Sequence, residues 1–179
     1  MFFLKKIVDK FIRLFVPPVE RTAFDIADIY RKRGMSIGKE TYIYGNVVFG
    51  TGLDGLDPIV IGENCVLTGC TILGHDASTN KYLGIKYSIR KPVVIEDNCF
   101  IGYGAIILMG VTIEHDSIVG AGSVVTSDVP ERSVVAGNPA RVICTLDQLV
   151  EKRQQLAIEH PEYFRDKPDL LHKKVGELP

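Results

Sequence analysis

The chain contains no tryptophan, only four cysteines and four histidines, and almost no charge surplus, since 21 Lys and Arg face 22 Asp and Glu for a net charge of −1. Each shortage excludes something. Balanced charge argues against a general nucleic-acid binder, which needs a basic face. No apolar run reaches the ~18 residues of a membrane-spanning helix. Cys65, Cys70, Cys99 and Cys144 lack CxxC-type spacing, so neither a disulfide framework nor a thiolate zinc site is expected, and reduced, buried thiols in a cytosolic protein are. Of His75, His115, His160 and His172, the last two lie in a polar tail. The remaining two fall short of a three-histidine zinc hydrase centre, and no metal is expected. With 179 residues, 46% hydrophobic and 24% charged, the composition describes one soluble globular domain with appendages.

What is present is a beat of six. Ile37, Ile43 and Phe49 are six apart, as are Ile61, Leu67 and Leu73; Ile95, Ile101, Ile107, Ile113, Val119 and Val125 continue without a miss. Two places earlier stands a small or β-branched residue, such as Thr41, Cys65, Thr71, Cys99, Ala105, Ser117 or Ser123. A helix would need apolar residues every 3.6 positions and a half-buried strand would alternate. A fixed period of six instead suits a short strand plus a turn, three of which close one coil of a solenoid. The aliphatic column and the small residue two places before it should face the axis. Glycine follows the aliphatic at Gly38, Gly50, Gly62, Gly74, Gly102 and Gly120, and is expected to relieve a corner where φ is positive.

The beat runs over residues 37–128 and ends near Asp128-Val129-Pro130; it divides the chain into a helical segment over residues 1–36, a β-helix domain over 37–143 and a helical tail over 144–179. Leu4, Ile7, Val8, Phe11, Leu14 and Phe15 form one face of a basic N-terminal helix, interrupted at Pro17-Pro18. This helix suits either a cap on the open end of the solenoid or a peripheral membrane contact through residues 1–16. Gly55 falls where an aliphatic is due, so residues 50–58 read as an irregular turn. The larger break is the 22-residue step from Leu73 to Ile95, where 18 would be three repeats. Its polar and aromatic segment, residues 76–92, reads as a loop thrown out of the coils, where function is usually placed. Thr145 and Gln148 make a capping box that opens a helix to about Ile158.

His75 stands where the chain leaves the coil for this loop. A neutral imidazole at the mouth of a groove suits a general base; the alternative is a turn histidine bonded to backbone. The run from Val93 to Ile113 (VVIEDNCFIGYGAIILMGVTI), that from Ile118 to Pro130 (IVGAGSVVTSDVP) and that from Val135 to Ile143 (VAGNPARVI) resemble the hexapeptide-repeat acyltransferases. The likeness is greatest to galactoside and maltose acetyltransferases and to O-acetyltransferases of capsule and O-antigen loci. The resemblance implies an all-β solenoid, a left-handed parallel β-helix with an N-terminal helical segment and a C-terminal helix. It also implies a homotrimer binding acetyl-CoA between protomers, in the cytoplasm or peripherally at the inner face of the membrane. It makes His75 the base and carries over Ala121, Thr126 and Ser127 as coenzyme contacts. Arg141 becomes the phosphate partner, its planar fork matching phosphate geometry.

Tyr103 stands where a small residue is common in that family, and Ser127 where many members have Lys. A backbone N–H of Tyr103 or Gly104 is expected to stabilise the oxyanion. Asp76 or a nearby carbonyl would orient the imidazole. Asn46, Asp54 and Asp57, with Asp76, are the acceptor-binding candidates, although turn chemistry explains Asn and Asp there as well. The expected reaction is O-acetylation of a saccharide belonging to a surface polysaccharide or its precursor. The alternatives are N-acetylation of an amino sugar nucleotide, a zinc hydrase and a non-catalytic scaffold.

Overall fold

The computed structural model describes residues 19–50 and 59–164. The expected amphipathic helix over residues 1–16, the turn carrying Asp54 and Asp57, and His172 lie outside the described residues.

Helix α1 (Val19–Lys32) leads into a first coil of β1 (Ser36–Ile37), β2 (Tyr42–Tyr44) and β3 (Val48–Gly50). The second coil holds β4 (Ile59–Ile61), β5 (Val66–Thr68) and β6 (Thr71–Leu73). An excursion follows, made of β7 (His75–Asp76), α2 (Asn80–Leu83) and β8 (Ile89–Arg90). The third coil contains β9 (Val93–Ile95), β10 (Phe100–Ile101) and β11 (Ile106–Ile107), and the fourth β12 (Thr112–Ile113), β13 (Ile118–Val119) and β14 (Val124–Val125). The chain closes with a hairpin, β15 (Ser133–Gly137) and β16 (Ala140–Thr145), then α3 (Leu146–Glu159).

Successive strands visit three sheets in turn. The orders β1-β4-β9-β12, β2-β5-β10-β13-β15 and β3-β6-β11-β14 are parallel, and β16 adds antiparallel to β15. Corresponding residues stack in register: Ile37 on Ile61, Ile61 on Ile95 and Ile95 on Ile113 in the first sheet. The inward columns are sealed, with Ile43, Leu67, Ile95, Ile101, Ile107, Ile113 and Val119 fully buried. By area transfer each such side chain contributes about 1.5–3 kcal/mol, an upper figure. The small inward residues tie one coil to the next. Thr41 Oγ1 donates to the Gly62 carbonyl at 2.7 Å, Cys65 Sγ to Glu96 at 3.0 Å, Cys99 Sγ to Glu114 at 3.3 Å and Ser117 Oγ to Pro130 at 2.8 Å. All four precede strands of the second sheet, where the inward residue is short enough for the axis and carries a donor. All four cysteines are free thiols, and burial pushes Cys70 up to about 11.

Two expectations are corrected. The beat slips in the second coil: Ile72 is fully buried and pairs with Ile107, whereas Leu73 turns outward. Cys70 accordingly takes the small inward position instead of Thr71. The corner at Gly69 is one residue shorter than its counterparts, and a Cβ there would meet the Tyr103 ring at 2.5 Å. The second correction concerns the glycines after the aliphatics. Positive φ falls instead in two other corner columns: Glu40, Asn64, Asn98, Asp116 and Arg132, between 54° and 59°, where Asn and Asp tolerate the left-handed region, and Gly45, Gly69, Gly104 and Gly122, between 44° and 71°. Gly62 and Gly102 serve close approach: a Cβ would lie 2.7 Å from Asp97 N and 2.6 Å from Ala121 N respectively, so the next coil could not stack.

The first coil is covered by α1, whose Ala27 is fully buried and whose Arg31 donates from Nε to the Ile37 carbonyl at 2.9 Å and from Nη2 to Gly38. At the other end, Thr145 Oγ1 accepts from Gln148 N at 3.2 Å and Gln148 Oε1 accepts from Thr145 N at 2.9 Å, the expected capping box on α3. Among the described residues no helix is long and apolar enough to cross a membrane.

Candidate active site

Where the third sheet turns towards the first, the second coil ejects the 76–92 segment. A cavity of about 370 Å³ opens there, lined by Leu73, His75, Asp76, Leu108, Met109 and Thr126. Leu73 reaches it because of the one-residue slip; in phase, its side chain would have been core.

His75 is half-buried at this cavity. Its Nδ1 lies 3.1 Å from the Gly50 carbonyl, which also accepts from Gly74 N at 3.1 Å. A carbonyl only accepts, so Nδ1 carries the proton in this contact and Nε2 bears the lone pair of the neutral ring. The backbone of the preceding coil thus holds one nitrogen of the imidazole. Asp76 Oδ1 instead accepts from Ser78 N at 2.7 Å. That amide, with the Ser78 hydroxyl, holds the Asp76 carboxyl below the ordinary carboxylate range, and the neighbouring His75 acts in the same direction. The excursion returns as an antiparallel ribbon, with His75 across from Arg90 and Asp76 across from Ile89.

The other expected site residues fall into groups. Thr126 lines the cavity, and exposed Ser127 follows it at the same corner. Tyr103, Gly104 and Ala121 stand at the corner between the second and third sheets, with Asn46 in the same column of the first coil. Gly104 and Leu108 are four residues of extended chain apart, on the order of 13 Å. A single chain therefore does not bring the two corner groups together. The Gly104 N–H donates to the Gly69 carbonyl at 3.1 Å and is already engaged, and the Tyr103 carbonyl accepts from Gly122 N at 2.8 Å. Tyr103 itself is 72% exposed, its ring lying over Gly69. Arg141 sits exposed on β16, where Nη1 donates to the Ala140 carbonyl at 2.8 Å.

Leu73, Leu108 and Met109 were not anticipated as lining. The available signal was an apolar Leu-Met pair just after the inward Ile107, at a corner position that other coils fill with small or polar residues. His115 belongs elsewhere. Its Nδ1 pairs with Asp116 at 2.9 Å and its Nε2 with Glu131 at 2.8 Å, while its N–H donates to Glu96 at 3.0 Å. The Asp116 hydrogen bond raises its pKa most, desolvation opposes it, and the charges of Glu131 and Asp116 add to the rise. Among the described residues no group of three His, Cys, Asp or Glu side chains could hold a metal ion.

Residues 92–127 match the family model for the hexapeptide repeat of succinyl-transferase. A 2,3,4,5-tetrahydropyridine-2,6-dicarboxylate N-acetyltransferase of Clostridium perfringens is 45% identical over 67 residues, 37% of this chain and 28% of that protein. The chain spans 54%, 39% and 28% of the length of the first three curated relatives it matches. Among solved structures, a hexapeptide-repeat-containing acetyltransferase of Vibrio cholerae, complexed with acetyl-coenzyme A, aligns at TM-score 0.53 and 39% identity, covering 62% of this chain and 59% of that one. A maltose O-acetyltransferase of Clostridium difficile aligns at TM-score 0.54 and 30% identity, covering 78% of this chain and 84% of that one. With stacked six-residue strand-and-turn units throughout its core and most of that O-acetyltransferase's length matched, this chain belongs to the hexapeptide-repeat acetyltransferases.

Proposed function

We propose that this protein is an acetyl-CoA-dependent O-acetyltransferase acting on a saccharide hydroxyl of a surface polysaccharide or its precursor, with His75 as general base. The observation that carries the reading is the imidazole held by the Gly50 carbonyl in the lining of a cavity that also presents Leu73, Leu108, Met109, Asp76 and Thr126. Leu73, Leu108 and Met109 suit the methylene arm of a thioester donor, and Thr126 with His75 suits its polar end. Acetyl-CoA is the donor substrate and supplies an activated acetyl group. Nε2 takes the proton of the acceptor hydroxyl as its oxygen attacks the thioester carbonyl, and the imidazolium returns that proton to the departing thiolate. The balance is an acetyl ester and free coenzyme A thiol. A base of this kind accounts for about 10²–10⁴ in rate.

The working unit in this reading is a homotrimer of left-handed β-helices built from residues 37–143, cytoplasmic or peripheral at the inner membrane face through residues 1–16. The division of the candidate residues supports it: the corner carrying Tyr103, Ala121 and Asn46 would meet the corner carrying His75, Thr126 and Ser127 across a protomer boundary. Arg141, beyond the fourth coil, is then the partner for the coenzyme's phosphates. N-acetyl transfer is the second reading, favoured by the Clostridium perfringens relative.

Acceptor-dependent release of coenzyme A thiol, screened over free sugars, nucleotide sugars and amines, decides between them. His75→Ala should lower turnover at least about 100-fold with folding unchanged; near-normal turnover of that variant removes the assignment.

A further inference from the structure

The excursion beside His75 has a composition that the coils do not share. Between Ala77 and Ile95 it carries Lys81, Lys86, Arg90 and Lys91 and no acidic residue. Tyr82 is 85% exposed, Tyr87 72% and Leu83 60%, although buried apolar area is what ordinarily pins down a loop. The Lys86 ammonium lies 5.5 Å from the centre of the Tyr87 ring, so cation and aromatic face are presented together. The segment is nevertheless placed. α2 ends on Gly84 at φ 63°, β7 and β8 pair across its base, and the Lys91 stem lies over Gly110, where a Cβ would stand 2.8 Å from Lys91 Cδ. The pairing sets Arg90 directly opposite His75. The nearest acid in sequence, Asp76, has one carboxylate oxygen on the Ser78 amide.

Exposed tyrosine rings offer flat faces to the C–H side of a pyranose, and the Lys86 ammonium beside Tyr87, with Lys81 and Lys91 on the same excursion, offers charge to an anion. We propose that this segment binds the acceptor and that the acceptor is an anionic saccharide, its negative charge held by Lys81, Lys86 and Lys91 while a ring hydroxyl reaches His75. The proposal rests on the acyl-transfer reading above and narrows its substrate class. The negative charge has two chemical sources, a sugar carboxylate or a phosphate. In the acyl-transfer reading the coenzyme's own phosphates go to Arg141, on the strand beyond the fourth coil.

The test is a set of calorimetric titrations of the full-length protein and of a K81E/K86E/K91E variant. The probes are trigalacturonate against maltotriose, uridine diphosphate-glucose against glucose, acetyl-CoA, and vesicles containing anionic lipid. At low salt, one anionic saccharide should bind at least about tenfold tighter than its neutral counterpart. That preference should shrink in raised salt and vanish in the variant, with acetyl-CoA affinity changed less than about twofold. The trigalacturonate and nucleotide-sugar arms separate carboxylate from phosphate. Equal binding of charged and neutral probes, no binding of either anionic saccharide, an unchanged preference in the variant, or binding of anionic vesicles in place of saccharides overturns the proposal. A variant that loses acetyl-CoA instead would overturn it too, by assigning the lysines to the coenzyme. Failure of the wild-type protein to bind acetyl-CoA removes the acyl-transfer reading, and the saccharide arms report on the segment separately.

Discussion

Replacing Gly102 by alanine perturbs the stacking of coils at one defined place. The added Cβ would stand 2.6 Å from Ala121 N, 2.7 Å from the Val119 oxygen and 2.8 Å from Gly120 C, all backbone atoms of the next coil. None can rotate away, so the coils must part locally by roughly 1 Å to regain ordinary contact distances. The bonds under strain are Gly102 N to Val119 O at 2.8 Å, Phe100 N to Ser117 O at 2.9 Å and Gly122 N to Tyr103 O at 2.8 Å. At about 1 kcal/mol each, their loss predicts a destabilisation near 3 kcal/mol, at the upper end of ordinary overpacking. For a chain of this size that lowers the melting temperature by about 6–12 °C. Gly122→Ala is the control: nothing lies within 4 Å of its Cβ position and φ is 68°, so only conformational strain of about 1–2 kcal/mol applies. Thermal and urea unfolding of the three proteins gives the comparison. Gly102→Ala no less stable than Gly122→Ala would refute the close-approach reasoning.

The slip in the second coil predicts that Ile72→Ala costs about 2–5 kcal/mol, because Ile72 is fully buried, whereas Leu73→Ala costs less than about 1.5 kcal/mol and shows chiefly as weaker donor binding; reversed stabilities by urea unfolding would restore the unbroken beat. His115 holds its proton more tightly in the folded state, so its contribution is full below the ordinary histidine value of about 6.5 and is lost as pH rises through the raised folded-state value. The melting-temperature gap between wild type and His115→Gln should accordingly be widest near about pH 6 and narrow towards about pH 9, and a gap that stays constant or widens would contradict it.

The inward columns were legible because side-chain volume leaves little choice: an aliphatic at 95, 101, 107, 113 and 119 can only face a shared axis. Thr41, Cys65, Cys99 and Ser117 were equally readable as small inward residues, although their bonds to the next coil were not. The Leu67 to Ile72 step was hidden because Leu73 is as apolar as Ile72, and only the shortened corner under Tyr103 chooses between them. The glycine column was misread for a related reason. Sequence shows that glycine is required but not whether the requirement is a dihedral angle or room for a neighbouring backbone. Asn64, Asn98 and Asp116 mark one left-handed corner, and Gly45, Gly69, Gly104 and Gly122 mark the other. The candidate base could be found from its place before the excursion, but its orienting partner could not. A backbone carbonyl contributed by Gly50, a whole coil earlier, leaves no mark on residue identity. The β15–β16 hairpin did leave a sign, since the beat stops at Val125 and Gly137, Asn138 and Pro139 mark a turn between two apolar runs.

A crystal structure of the protein bound to acetyl-CoA tests the central claim most directly. The account predicts the thioester carbonyl among Leu73, Leu108, Met109 and Thr126, within one hydroxyl's reach of His75 Nε2, with the coenzyme's phosphates towards Arg141. A donor seated away from that cavity, with the His75 ring facing no part of it, would contradict the account.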